Sequence, residues 1–111
     1  MEKMNVVREY VDDSRRSPFG LWFASLDEMA AVKVTVALER IAQGHTSAIK
    51  SVGEGVSEYK IDFGPGYRIY FGKDGERLVI LVGGGTKKRQ QRDIASAKAI
   101  WKDYKERKRK E

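Results

Sequence analysis

Cysteine is absent from this 111-residue chain, histidine occurs once and proline only twice. Without cysteine there can be no disulfide framework, no thiol nucleophile and no thiolate metal site, and the single His45 does not make a zinc cluster. We therefore expect neither a metal nor a cofactor. No apolar run approaches the roughly 20 residues that cross a bilayer, and the N-terminal segment has no signal-peptide apolar block. The expectation is a cytoplasmic protein that does not associate with membranes.

Charge is abundant and unevenly placed. Of the residues, 41% are hydrophobic and 34% are charged, which suits one domain over residues 1–111 with a small core and a highly charged surface. Residues 87–111 hold eleven Lys or Arg and four acids, a net charge of +7, although the whole chain carries only +6. This asymmetry favours an acidic partner, and phosphate is the commonest one. A solubilising tail is the alternative interpretation.

The first half of the chain predicts a strand followed by two helices. Residues 4–11 are rich in β-branched side chains and predict a strand. Ser17 can cap a short helix over residues 18–26, and Asp27 can cap a second helix over residues 28–43. Because the connection between them is short, we expect a helical hairpin that covers one face of a sheet.

The second half changes to the two-residue period of strands, which are predicted over residues 56–63, 67–71 and 78–82. Gly83–Gly85 then indicates a flexible exit from the last strand, and residues 91–107 predict a final helix. The predicted fold class is α+β: a twisted, mainly antiparallel four-stranded sheet in the order β-α-α-β-β-β-α. Trp22, Ile41, Ile80 and Trp101 should be largely buried.

Basic residues converge on one side of this predicted sheet. Lys60 and Arg68 lie on adjacent strands of a tight hairpin, where cross-strand neighbours can touch. We expect Glu58, Lys60, Arg68 and Tyr70 to line an uncovered, concave face. The cations expected to surround that face are Lys50, Lys60, Arg68, Lys87, Lys88 and Arg89.

Aromatic side chains interleave with these cations, a pattern that suits single-stranded RNA, whose bases stack while its phosphates pair. Tyr59 and Tyr67 share the phase of the apolar positions and are assigned to the core. Tyr70 shares the phase of Arg68 and is therefore the surface candidate. His45 could act as a general base, but a lone histidine at a helix end is more often an ordinary loop residue.

Two segments of the chain resemble a known family. They are residues 50–71 (KSVGEGVSEYKIDFGPGYRIYF) and 84–97 (GGTKKRQQRDIASA). In order and spacing they are similar to addiction-module killer proteins of the RelE/ParE toxin superfamily, in the branch close to HigB and phage Gp49-like proteins. The resemblance covers about residues 22–101. One position departs from the family pattern, since Thr86 stands where an Asp is usual and makes the loop more basic.

The resemblance implies a RelE-like fold and a toxin of a type II toxin–antitoxin pair, in the form of a metal-free mRNA-cleaving endoribonuclease that acts mostly on the ribosome. Arg68 matches the catalytic arginine position and would bind the phosphate; Lys60 would be the base; Lys87 would stabilise developing charge. The RNA-binding residues would be Lys50, Tyr70, Lys88, Arg89 and Gln90. The implied partners are mRNA, the ribosome and a cognate antitoxin, expected to be a helix-turn-helix protein.

Two other functions remain open at this point. The same superfamily contains ParE-like toxins that inhibit gyrase and are not nucleases, so the fold does not settle the activity. A non-catalytic RNA-binding module that relies on its basic final helix is the second, and in that case Arg68 and Lys60 would be dispensable.

Overall fold

The structure is a computed structural model that describes residues 4–111, and its strands form one five-stranded sheet. The strands are β1 (Val6–Glu9), β2 (Ile49–Gly53), β3 (Val56–Ile61), β4 (Tyr67–Asp74) and β5 (Leu78–Thr86). Their order across the sheet is β1-β5-β4-β3-β2. Only β1 runs parallel to its neighbour, and the other pairs are antiparallel. The α+β class and the mainly antiparallel sheet are confirmed.

Three helices pack on this sheet: α1 (Pro18–Ala24), α2 (Glu28–Ala42) and α3 (Gln90–Arg109). The predicted caps form, because the Ser17 hydroxyl accepts from the Gly20 N–H and the Asp27 carboxylate accepts from the Ala30 N–H, each at 2.9 Å. A short 3₁₀ turn, Lys87–Arg89, connects β5 to α3. No helix in the described part of the chain is long and apolar enough to cross a membrane.

Each face of the sheet carries its own core. Helices α1 and α2 cover one face, where Phe19 and Ile41 pack against Tyr59, Tyr67 and other inward side chains. Helix α3 covers part of the opposite face through Ala97 and Trp101. Ile41, Ile80 and Trp101 are buried as predicted, but Trp22 is only partly buried.

Two predictions about the strands are wrong. The sheet has five strands instead of four, because Ile49–Gly53 pairs with β3 as an edge strand. Gly83–Gly85 is not a flexible exit, since these residues belong to β5 and pair with Tyr70, Ile69 and Arg68 of β4. Glycine is needed at two of them for space: a β-carbon at Gly84 would overlap the Trp22 ring, and one at Gly85 would overlap the Asp93 carboxylate.

Candidate functional site: a basic cleft around Arg68

Lys60 and Arg68 are direct cross-strand partners on β3 and β4. Their strand positions place them on the sheet face that α3 covers only in part. The Lys60 side chain is exposed, whereas Arg68 is buried at 4% exposure. Arg68 Nη1 donates a hydrogen bond to the Gly66 carbonyl at 2.9 Å, which fixes one edge of the guanidinium. The structure therefore brings the two residues together, and it holds the arginine much more firmly than the lysine.

A buried carboxylate, which the sequence analysis had assigned to the open face, balances the charge of Arg68. Glu58 is only 1% exposed, and its Oε2 lies 3.6 Å from Arg68 Nε. The same oxygen accepts a hydrogen bond from Gln90 Nε2 at 2.8 Å, and Lys50 Nζ lies 3.8 Å from Oε1. Glu58 thus joins three of the predicted site residues. The available signal was its strand phase, which it shares with Lys60 and Arg68.

Gly66 links Lys87 to this group. Its carbonyl accepts from the Lys87 N–H at 2.8 Å as well as from Arg68 Nη1. Gly66 has φ of +79°, which favours glycine, and a β-carbon there would lie 3.2 Å from Arg68 Nη1 and 3.4 Å from Lys87 Cβ. The close approach of the two cationic residues therefore depends on glycine at this turn.

An open cleft of about 520 Å³ lies over these side chains. The predicted site residues that line it are Lys50, Lys60, Arg68 and Gln90, and Glu58 joins them. Lys87, Lys88 and Arg89 are exposed on the 3₁₀ turn and do not line the cleft. His45 also lies outside it, since it is exposed just after α2 and lines a different groove. The cleft is thus built from the edge strand β2, the β3–β4 hairpin and the start of α3.

The prediction that Tyr70 is a surface residue is wrong. Tyr70 lies on the same face as Arg68, but α3 covers it and it is 0% exposed, in a cluster with Val56 and Ala97. Burial, with the negative charge of Glu58 as the next cause, raises the pKa of Tyr70 far above its ordinary value. Its hydroxyl is therefore neutral and faces the Glu58 carboxylate. Strand phase assigned the correct face but could not show that a helix covers it.

The described surroundings of Arg68 leave one of its nitrogen atoms without a hydrogen bond. Arg68 Nε is buried without a hydrogen bond within residues 4–111, because 3.6 Å to Glu58 is an ion-pair distance but too long for a hydrogen bond. The carboxylate of Asp93, on the first turn of α3, lies against Gly85. Burial raises the pKa of Asp93, and the nearby Arg89 and Arg92 oppose that rise. This part of the structure therefore contains a buried guanidinium with incomplete hydrogen bonding and, against Gly85, a partly buried carboxylate.

The rim of the cleft carries two exposed lysines beside the exposed Asp62, and below it Arg68 is held in one orientation. Lys60 is exposed, Lys50 has a 67% exposed side chain, and the exposed Lys87 lies beside the turn that holds Arg68. A guanidinium fixed by a carbonyl and a carboxylate is preorganised to donate to an anion. Such a guanidinium can bind an anion such as a phosphate.

Comparison with known proteins gives two matches. The family model "Phage derived protein Gp49-like (DUF891)" matches residues 21–105, and the chain is 39% identical over 83 residues to an uncharacterized protein of Haemophilus influenzae. That alignment covers 74% of this chain and 84% of the Haemophilus protein. All the cleft residues named above lie within the matched range. The chain therefore belongs to the phage-derived Gp49-like family, which is associated with toxin–antitoxin systems.

Proposed function

We propose that this protein is the toxin of a toxin–antitoxin pair and that it arrests translation by cleaving mRNA at the Arg68 cleft. The observation that supports this proposal is the position of Arg68. It is buried against Glu58, fixed by the Gly66 carbonyl, and bordered by the exposed Lys60 and by Lys87. Burial of a charged side chain costs free energy, and it is expected where a phosphate must be bound in one orientation.

The proposed reaction uses the RNA's own 2′-hydroxyl as the nucleophile. Attack on the adjacent phosphorus forms a 2′,3′-cyclic phosphate and breaks the bond to the 5′-oxygen of the next nucleotide. Lys60 accepts the 2′-hydroxyl proton, and Arg68 stabilises the negative charge on the phosphorane. Lys87 lies beside Arg68 and would add positive charge or protonate the leaving 5′-oxygen. Lys50 and Gln90 line the same cleft and would contact the RNA on either side.

Two variants with different structural risks test this proposal. Arg68→Ala should lower cleavage at least a hundredfold, as does loss of one preorganised donor. Lys60→Ala should lower it by about 10²–10⁴, as does loss of a general base, and cannot disturb the core because Lys60 is exposed. The matched control is Arg40→Ala on the exposed side of α2. Growth arrest and mRNA ends mapped by primer extension are the measurements.

The possible results separate the candidate functions. Growth arrest with new mRNA ends in the wild type and in Arg40→Ala, but in neither cleft variant, supports the proposal. Unchanged toxicity in folded Arg68→Ala and Lys60→Ala proteins would refute the assigned roles. Growth arrest with DNA damage and intact mRNA would instead indicate a gyrase-inhibiting toxin.

The proposed partner that silences this toxin is a small helix-turn-helix antitoxin encoded in a neighbouring reading frame. Because residues 87–111 carry a net charge of +7, its contacting segment should be acidic. Co-expression of the neighbouring frame should restore growth, and removal of its acidic segment should abolish that rescue.

A further inference from the structure

A second groove lies at the other end of α3, apart from the cleft. It has a volume of about 540 Å³ and runs between the C-terminal half of α3 and the turn between β4 and β5. Its floor includes Trp101 and Tyr104. The cations that line it are Lys73, Lys102, Lys105, Lys108 and Arg109.

Most of these cations are not neutralised by the protein. Lys108 pairs with Asp74, but within residues 4–111 the other four make no ion pair. Lys102, Lys105 and Arg109 follow one another at intervals of three and four residues, so they share one face of α3 and repel each other. Glu106 lies between Lys102 and Arg109 on the same face and also lines the groove, so the groove carries five cations against two carboxylates, Asp74 and Glu106.

The groove offers charge but little free ring surface for base stacking, because Trp101 is buried and Tyr104 is partly buried. Trp101 is only 4% exposed, and its ring stacks on Tyr104 with 5.1 Å between centroids and 8° between planes. Lys105 Nζ lies 5.9 Å from the Trp101 ring centroid, and the Tyr104 hydroxyl donates to Asp74 at 2.6 Å. Proteins that bind single strands use exposed aromatic rings. A row of cations with so little exposed ring surface suits a phosphate backbone whose bases are already paired.

We propose that this groove binds the backbone of duplex RNA, while the cleft around Arg68 receives the single strand to be cut. The inference rests on the proposed function. From Gln90 at the cleft to Trp101 in the groove, α3 rises by about 17 Å, so one protein molecule can engage both at once. Lys102 and Arg109 lie about 10 Å apart along the helix axis, which allows contacts to more than one phosphate.

The experiment measures binding of a labelled 16-base-pair RNA duplex and of a 16-nucleotide single strand across a salt series. The variant is Lys102→Ala/Lys105→Ala/Arg109→Ala. Its control removes three cations elsewhere, Arg16→Ala/Lys33→Ala/Arg40→Ala, so that the net charge stays matched. All six side chains are exposed, and circular dichroism checks that each protein is folded.

For the groove variant, the slope of log K against log salt should fall by two to three for the duplex, and affinity at 0.1 M salt should fall about a hundredfold. The control should retain most of its duplex affinity. Equal losses in the two variants would overturn the proposal, since only net charge would then matter. An equal loss for single strand and duplex would overturn the preference for paired RNA.

The test is independent of cleavage. Arg68→Ala should bind the duplex as tightly as the wild type, because Arg68 does not line the groove. If the wild type proves not to cut mRNA, the duplex affinities still decide whether the groove binds RNA. If the groove variant keeps full duplex affinity while Arg68→Ala loses toxicity, the proposed function stands and the groove has no role in RNA binding.

Discussion

Replacement of Glu58 by glutamine tests whether the buried carboxylate holds Arg68 in place. The substitution keeps the size of the side chain and lets its carbonyl oxygen accept from Gln90, but it removes the negative charge. Arg68 would then be a buried cation that retains only its hydrogen bond to the Gly66 carbonyl among its described contacts. The prediction is a large loss of stability with little change in packing.

The magnitude follows from the geometry. At 3.6 Å and an effective dielectric constant of about 20, the attraction between Glu58 and Arg68 is about 4–5 kcal/mol. Removal of one partner from a buried pair costs about 3–5 kcal/mol in other proteins. Because the hydrogen bond from Gln90 can be kept, we expect a loss of about 3 kcal/mol in the free energy of unfolding. That is a large part of the 5–15 kcal/mol typical of a domain.

Urea denaturation followed by circular dichroism measures this loss. With a slope m of about 1.5 kcal/mol/M, the midpoint should fall by about 2 M while m stays constant. Lys50→Gln is the matched control, because Lys50 reaches the same carboxylate from an exposed position and should cost no more than about 1 kcal/mol. The double variant Glu58→Gln/Arg68→Met removes both charges and should be less destabilised than the two single effects added together.

Two results would refute this reasoning. A Glu58→Gln protein within about 0.5 kcal/mol of the wild type would mean that the carboxylate does not stabilise Arg68. Additive losses in the double variant would mean that the two side chains do not interact, whatever their separation. In either case the proposed preorganisation of Arg68 would lose its structural basis.

Two further predictions concern the glycine strand and the start of α3. Gly84→Ala should destabilise the protein by about 1–3 kcal/mol, because the added β-carbon would overlap the Trp22 ring. Gly83→Ala should be neutral or stabilising, because a β-carbon there would meet no atom within 4 Å. Urea denaturation compares the two variants directly, and equal effects would contradict the packing argument. Asp93 has a raised pKa in the folded protein, so the folded state holds its proton more tightly and stability should fall as pH rises above about 4. The free energy of unfolding of Asp93→Asn, measured from pH 4 to 7, should lack this component, and identical pH profiles for the two proteins would count against it.

Local signals were sufficient for most of the fold. Ser17 and Asp27 cap the helices that they were predicted to cap, because a side-chain oxygen before an apolar periodic segment satisfies the free N–H groups of the first turn. Alternation on β3 and β4 correctly assigned Tyr59 and Tyr67 to the core. These are properties of short segments, and a single sequence contains them.

The predictions that proved wrong share a different cause: they concern features that depend on residues distant in the sequence. Strand β2, Ile49–Gly53, has no clear alternation and becomes a strand because its backbone pairs with β3. Composition alone cannot distinguish a glycine that makes the backbone flexible from a glycine that leaves space for a neighbouring side chain. Gly72 illustrates this, since a β-carbon there would meet the Trp101 ring, and its absence lets α3 approach the sheet and bury Tyr70.

The same docking of α3 explains why the candidate site is smaller and more rigid than the sequence suggests. Helix α3 covers Tyr70 but leaves the cleft beside Lys60 open, and Gln90 at the start of α3 donates a hydrogen bond to Glu58. Arg68 Nε is buried in an ion pair but without a hydrogen bond to the described residues, and replacement of a buried ion pair by apolar residues of similar size is often neutral or stabilising, so this burial is weak support for the fold itself. A polar group retained at such a cost favours a functional role. The positive charge of α3 then separates into two regions, one beside the cleft and one in the groove at its far end, and this separation is the physical basis for expecting different RNA contacts at each.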